Sequence, residues 1–210
     1  MFVNRIDAGT KLGRALASFK GQPVVVYALP RGGVVLGAEV ARALEAPLDL
    51  IVVRKIGHPQ SPEYAIGAVT EDGDIVLNPD EAQLLDPDWI TAAAESELRE
   101  ARRRGDVFLQ GISRVPAAGK VAILVDDGLA TGLTMEAAIQ QLRKRHPHKV
   151  VVAVPVAAGE TVERLRPKVD SMVVLHTPPM LGAIGAFYQD FDQVSDEDVV
   201  ALMKSVTHAG

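Results

Sequence analysis

An open, doubly wound, mostly parallel five-stranded α/β sheet flanked by helices is the fold this chain of 210 residues predicts. Three observations carry that expectation. Short runs of unbroken Val, Ile and Leu content recur, as in 23–29 (PVVVYAL), 120–125 (KVAILV) and 149–157 (KVVVAVPVA). Such runs mark strands buried on both faces, the situation of a parallel sheet covered by helices. Segments with helical apolar spacing separate them, as βαβ units require. Hydrophobic residues make up 48% of the chain, enough for a sizeable core and too many for disorder. The length fits one domain over 1–210, with a small hairpin and helical insertion at about 65–105.

The elements follow in order. Leu12, Ala15, Leu16 and Phe19 share a helical face, with Asp7 as N-cap. Strand 23–29 and a helix from Val34 to Leu44 come next, then a second buried strand at 48–56 (LDLIVVRKI). Residues 57–65 (GHPQSPEYA) hold two prolines and a glycine and read as a loop. Residues 65–78 read as a hairpin turning at Asp72-Gly73. Residues 80–104 are helical, capped by Asp88. Strand 120–125, helix Leu133–Arg145, strand 149–157, a short helix at Glu160–Leu165 and strand 171–177 complete the alternation. A last helix, Asp196–Ser205, is capped by Ser195 or Asp196.

The bulk chemistry excludes several functions. With 22 Lys+Arg against 27 Asp+Glu the net charge is −5, which disfavours nucleic acid or an anionic membrane as partner. The run Arg99, Arg102, Arg103, Arg104 alternates with Glu97 and Glu100 and reads as a solvated helix face. There is no Cys, so disulfides and thiolate zinc sites are excluded. No signal peptide and no membrane-length apolar run is evident, and a cytoplasmic protein is expected. No GxSxG or GxxxxGK[ST] motif is present.

In open parallel sheets, ligands sit beyond the carboxyl ends of the strands. Four such ends carry chemistry here. After 23–29 comes Pro30-Arg31-Gly32-Gly33, where glycines at a helix start let backbone N–H groups approach an anion and Arg31 adds a forked cation. After 48–56 comes Arg54-Lys55, followed by the Pro/Gly loop as a lid that includes His58. After 120–125 come Asp126 and Asp127, acceptors for vicinal hydroxyls, and then Gly128–Thr134, a phosphate-sized cradle of small and hydroxyl residues. After 171–176, Phe187, Tyr188 and Phe191 are candidates to stack on a flat ligand, or simply to pack the segment onto the core.

VAILVDDGLATGLT (121–134) resembles the phosphoribosyl-diphosphate (PRPP) motif of the type I phosphoribosyltransferases: an apolar run, two acids, a spacer, then TG and T. Pro30-Arg31-Gly32-Gly33 resembles that family's pyrophosphate loop, and Arg54-Lys55 with the following loop resembles its flexible catalytic loop. The resemblance covers roughly 20–178, with 80–105 matching no part of it. It implies that Asp126 and Asp127 hold the ribose hydroxyls. Gly128, Ala130, Thr131, Gly132, Leu133 and Thr134 would then hold the 5-phosphate, and Arg31, Gly32 and Gly33, with Arg54 and Lys55, the pyrophosphate. It further implies a cis Pro30–Arg31 peptide, Mg2+ held mostly by the substrate's own oxygens with no dedicated protein ligands, and a homodimer.

The implied reaction displaces pyrophosphate from the anomeric carbon by a nitrogen of a base or other amine, with Asp126, Asp127, Arg31 and Lys55 as catalytic residues. The alternative is a PRPP-binding regulatory or sensor protein without transferase activity. The acceptor is not marked by any motif; a hood built from the first helix, from 65–105 or from 178–191 would hold it, with Phe187 and Tyr188 as stacking candidates.

Overall fold

The computed structural model describes residues 1–207. Its centre is a five-stranded, wholly parallel sheet. The strands are β1 (Val24–Ala28), β2 (Leu48–Leu50), β6 (Val121–Val125), β7 (Lys149–Val156) and β8 (Ser171–His176), in spatial order β2-β1-β6-β7-β8. Registers such as Val26 opposite Ile123 and Ile123 opposite Val151 keep apolar side chains aligned across the sheet. Alternate residues of one strand serve different layers. Val24, Val26 and Ala28 pack with Leu12, Leu36 and Met203 on one face. Val25 and Tyr27 pack with Met135, Ile139 and Leu142 on the other. The first face is covered by α1 (Arg5–Ala15), α2 (Gly32–Leu44) and α7 (Asp196–Thr207), the second by α5 (Leu133–Lys144) and α6 (Gly159–Leu165). Burial on both faces is why the strands carry no polar alternation.

Beside this sheet stands a three-stranded antiparallel one: β3 (Val53–His58), β4 (Ser61–Thr70) and β5 (Ile75–Leu77), in the order β3-β4-β5. A single-turn helix α3 (Pro79–Ala82) and the long α4 (Pro87–Phe108) follow. One face of the small sheet meets α5 through Ala68, Val76, Leu133 and Ala137. The other meets α4 through Ile56, Ile66, Val69 and Ala94, with Trp89 and Leu98 at the margin.

Four expectations are corrected. The run 48–56 is two strands in different sheets, because the chain leaves the parallel sheet after Ile51, whose N–H still reaches Ala28, while the Val52 carbonyl is taken by Glu71 N–H. An unbroken apolar run cannot show which neighbour each half pairs with. Residues 57–65 are mostly strand: β3 and β4 form a hairpin turning at Pro59-Gln60, and Gly57 sits so close to the Pro62 backbone that a Cβ would overlap it. The N-cap of α1 is Asn4, whose side chain accepts from Asp7 N–H at 3.0 Å, with Asp7 in the first turn instead. Asp86 caps α4 in the same way, accepting from Asp88 N–H. The hairpin at Asp72-Gly73 and the Ser195 cap of α7, which accepts from Asp198 N–H, are as expected.

Candidate functional site

The sheet's winding reverses between β1 and β6, since β1 leads outward to β2 while β6, β7 and β8 lie on its other side. Crevices form at such a reversal because the loops leaving the two strands diverge to opposite faces. The loop after β1 is Pro30–Gly33 and the loop after β6 is Asp126–Gly132. The two most chemically loaded stretches of the sequence therefore meet at one point.

Asp126 emerges from the end of β6, and its Oδ1 accepts the N–H of Asp127 at 2.8 Å. Asp127 is held at both ends. Its Oδ2 accepts from Arg5 Nε at 2.9 Å, and its carbonyl accepts from the Tyr188 hydroxyl at 2.6 Å. Arg5 is itself fixed, with its guanidinium 3.7 Å from the centre of the Phe191 ring and Nη1 donating to the Asp192 carbonyl at 2.6 Å. Burial and then the adjacent Asp127 charge push the Asp126 carboxyl well above the ordinary carboxylate range, and burial raises Asp127 too, against the pull of Arg5. Lys55 lowers both, so its charge is felt at the acid pair from the neighbouring sheet.

The β1 loop lies directly against the acids. The Pro30–Arg31 peptide is cis. A Cβ at Gly32 would overlap Asp127 Oδ2, and one at Gly33 would lie 2.8 Å from the Val125 carbonyl. Glycine here lets the α2 N-terminus, with its free N–H groups, sit against the acid pair. Arg31 Nη1 is 3.3 Å from Asp196 Oδ1, at the start of α7.

The loop after the acids is braced from behind through its carbonyls. Thr161 donates its hydroxyl to the Ala130 carbonyl, and Arg164 donates to the Thr131 carbonyl while pairing with Glu136. Gly132, at φ 75°, begins α5, and a Cβ there would lie 2.5 Å from Thr161 Cγ2. Among the described residues the N–H groups of Ala130, Thr131 and Gly132 meet no acceptor. Together with the first turn of α5 at Leu133 and Thr134 they form a nest of donors suited to a phosphate.

Pro30, Lys55, Asp126 and Thr134 line one cleft of about 850 Å3. Lys55 is exposed on β3, its ammonium without a hydrogen-bonding partner among the described residues. Arg54 lines the cleft too, with its Nε 2.8 Å from Glu97 of α4. His58 shapes the hairpin tip, accepting from Gln60 N–H at 3.1 Å. Phe187 and Tyr188 stand outside the cleft. Tyr188 is buried between Phe2 and Phe191, with ring centres 5.5 and 4.8 Å away, and Phe187 lies 5.6 Å from the His176 ring. Tyr188 is therefore a packing and positioning residue, offering no free face to a ligand. Arg5, Thr161 and Arg164 went unnoticed in the sequence, where each is one polar residue among others on a helix with no motif around it.

The family model described as the phosphoribosyl transferase domain matches residues 6–181 of this chain. The chain belongs to the phosphoribosyltransferase family. Two proteins, from two strains of Mycobacterium tuberculosis and carrying provisional phosphoribosyl transferase names, are each 45% identical to it over 205 residues. Those matches take in 97% of this chain but 46% of each relative's length, so this phosphoribosyltransferase-family chain spans about half of them. The crystal structure of TT1426 from Thermus thermophilus is 42% identical, covers 98% of both chains and superposes with a TM-score of 0.82. No helix among the described residues is long and apolar enough to cross a membrane.

Proposed function

We propose that this chain transfers the 5-phosphoribosyl group of PRPP to a nitrogen of a base or other amine, releasing pyrophosphate. The observation that carries the reading is the convergence, at the β1/β6 reversal, of an acid pair flanked on opposite sides by two glycine-dependent donor loops. A ribose with phosphate at one end and diphosphate at the other has the same order of groups. Asp126 and Asp127 accept from the ribose hydroxyls, the N–H groups of Ala130 to Thr134 bind the 5-phosphate, and the Arg31–Gly33 turn binds the diphosphate.

Bond breaking at the anomeric carbon leaves the ribose with oxocarbenium character and the diphosphate with growing charge. The chain answers both. The acids face the cationic ribose, while Lys55, Arg31 and the α2 N-terminus face the leaving group with donors already in place. The β3–β4 hairpin narrows access of water to the cleft. Among the described residues no group of three or more His, Cys, Asp or Glu could hold a metal alone. The two buried carboxyls stand side by side with one side-chain cation, Arg5, paired to them among the described residues, a donor set that would suit a divalent ion. Mg2+, when bound there, supplies charge neutralisation for the diphosphate.

A sensor role without transfer is favoured by one feature, the pairing of Arg31 with Asp196. One experiment separates the two readings. Calorimetry with Mg2+ and PRPP on the wild type, Asp126→Asn and Asp127→Asn is followed by pyrophosphate release with a panel of bases and amines. PRPP binding that depends on both acids, with release stimulated by one acceptor, is expected. Binding without release by any acceptor leaves the sensor reading, and no PRPP binding by the wild type ends both.

A further inference from the structure

The charged stretch 99–104 reads in the sequence as a solvated face, yet the structure turns one of its arginines inward. Arg104 of α4 lines the same cleft as Pro30, Lys55 and Asp126. Its side chain is 25% exposed, against 58% for the adjacent Arg103. Glu100 holds both, but differently. Arg103 spends its fork on Glu100, with Nε at 2.7 Å and Nη2 at 2.9 Å. Arg104 gives only Nε, at 2.8 Å, and its two terminal NH2 groups meet no acceptor among the described residues. These two arginines hold Glu100 down at about 2, so the anchor stays ionised throughout the physiological range. A guanidinium fixed along one edge, with the other edge free in a cleft, is preorganised for a phosphate oxygen.

Arg54 of the same cleft is anchored in the same way, giving only Nε to Glu97 at 2.8 Å. Arg31 is not among the residues lining this cleft and reaches Asp196. Lys55 and the terminal NH2 groups of Arg54 and Arg104 are therefore the cleft's cationic donors that meet no acceptor among the described residues.

We propose that Arg104, carried by the inserted helix α4, is a further binding residue for the diphosphate end of the substrate, opposite the Arg31–Gly33 turn. The inference rests on the PRPP reading above and assigns to α4 a part in the site.

Calorimetric binding of inorganic pyrophosphate with Mg2+ tests it, using the wild type, Arg104→Ala, Arg104→Lys and Arg103→Ala. Ribose 5-phosphate, which lacks the diphosphate, is the second probe. Loss of a charge-assisted contact is expected to weaken pyrophosphate binding by about tenfold to a hundredfold in Arg104→Ala. Arg104→Lys recovers part of that loss, Arg103→Ala stays within about twofold of wild type, and ribose 5-phosphate binding is unchanged in all. Equal pyrophosphate affinity in Arg104→Ala and wild type overturns the proposal while leaving PRPP binding standing. Parallel loss of ribose 5-phosphate in Arg104→Ala and Arg104→Lys also overturns it, since the residue would then act on the shape of the cleft. A wild type that binds neither pyrophosphate nor PRPP overturns this inference and the functional reading together.

Discussion

Asp126 is placed where a charge is costly and where a ribose needs an acceptor. Burial and the neighbouring Asp127 raise its pKa. A raised pKa in the folded state means that the folded protein holds this proton more tightly than the unfolded chain. The associated stability is present at low pH and is lost as pH rises through the folded value. Asp126→Asn is therefore expected to melt higher than wild type at pH 8, by about 1 kcal/mol. The gain shrinks toward pH 4, where the wild-type carboxyl regains its proton. PRPP binding should be lost at both ends of that range. Melting curves from pH 4 to 8 decide it, and a variant less stable than wild type at pH 8 would contradict this account. Gly32 makes the complementary case. The methyl of Gly32→Ala overlaps Asp127 Oδ2, so the carboxylate must swing off Arg5. The expected cost is about 1–3 kcal/mol of stability, with PRPP affinity falling at least about tenfold. Calorimetry and melting on the one variant measure both.

At the scale of elements, the parallel strands and the acid–glycine loops were legible because each announces itself locally. Val121–Val125 is apolar at every position since both its faces are buried, and the two acids after it can only be a strand exit. The small sheet was not legible in the same way. Leu50 to Val53 is one apolar run, and only long-range pairing, Val53 with Thr70 and Ala28 with Leu50, divides it between two sheets. Prolines at 59 and 62 are the signal of a loop, but Pro59 sits in the turn and Pro62 near the hairpin tip, on a part of β4 that β5 does not reach, where a missing N–H costs little. Nor does periodicity reveal that α4 underlies this hairpin, because its docking face, Trp89, Ala93, Ala94 and Leu98, names no partner by itself. Ala94 is 3% exposed against Ile56, Ile66 and Val69. A charge at that point would be buried without a partner. Ala94→Asp is thus expected to undock α4, so that amide exchange speeds up at Ile66–Val69 while Ile123 and Val151 keep their protection. Uniform loss of protection across both sheets would show instead that the two fold as a single unit.

At the scale of the whole molecule, the first residues and the segment near 190 are clasped together beside the site. Phe2 N–H donates to the Phe187 carbonyl at 2.8 Å, and the Phe2 carbonyl accepts from Gln189 N–H at 2.9 Å. The Phe2 ring, 7% exposed, packs on Tyr188. From this clasp Arg5 and Tyr188 reach the carboxylate and the carbonyl of Asp127. Distant parts of the chain thus fix one functional acid, and disturbing the clasp should cost stability and ligand affinity together. Phe2→Ala is expected to lose about 3 kcal/mol of stability and to weaken PRPP binding about tenfold or more, since both tethers of Asp127 loosen. Leu142→Ala is the control. Leu142 is fully buried near the far end of α5, in the apolar layer on the opposite face of the sheet, and its truncation costs a similar amount. It touches nothing that holds Asp127, so its PRPP affinity should stay within about twofold of wild type under conditions where both variants remain folded. If the two variants lose affinity in parallel, binding follows global stability and the clasp has no special bearing on the acid. A loss confined to Phe2→Ala shows that it does.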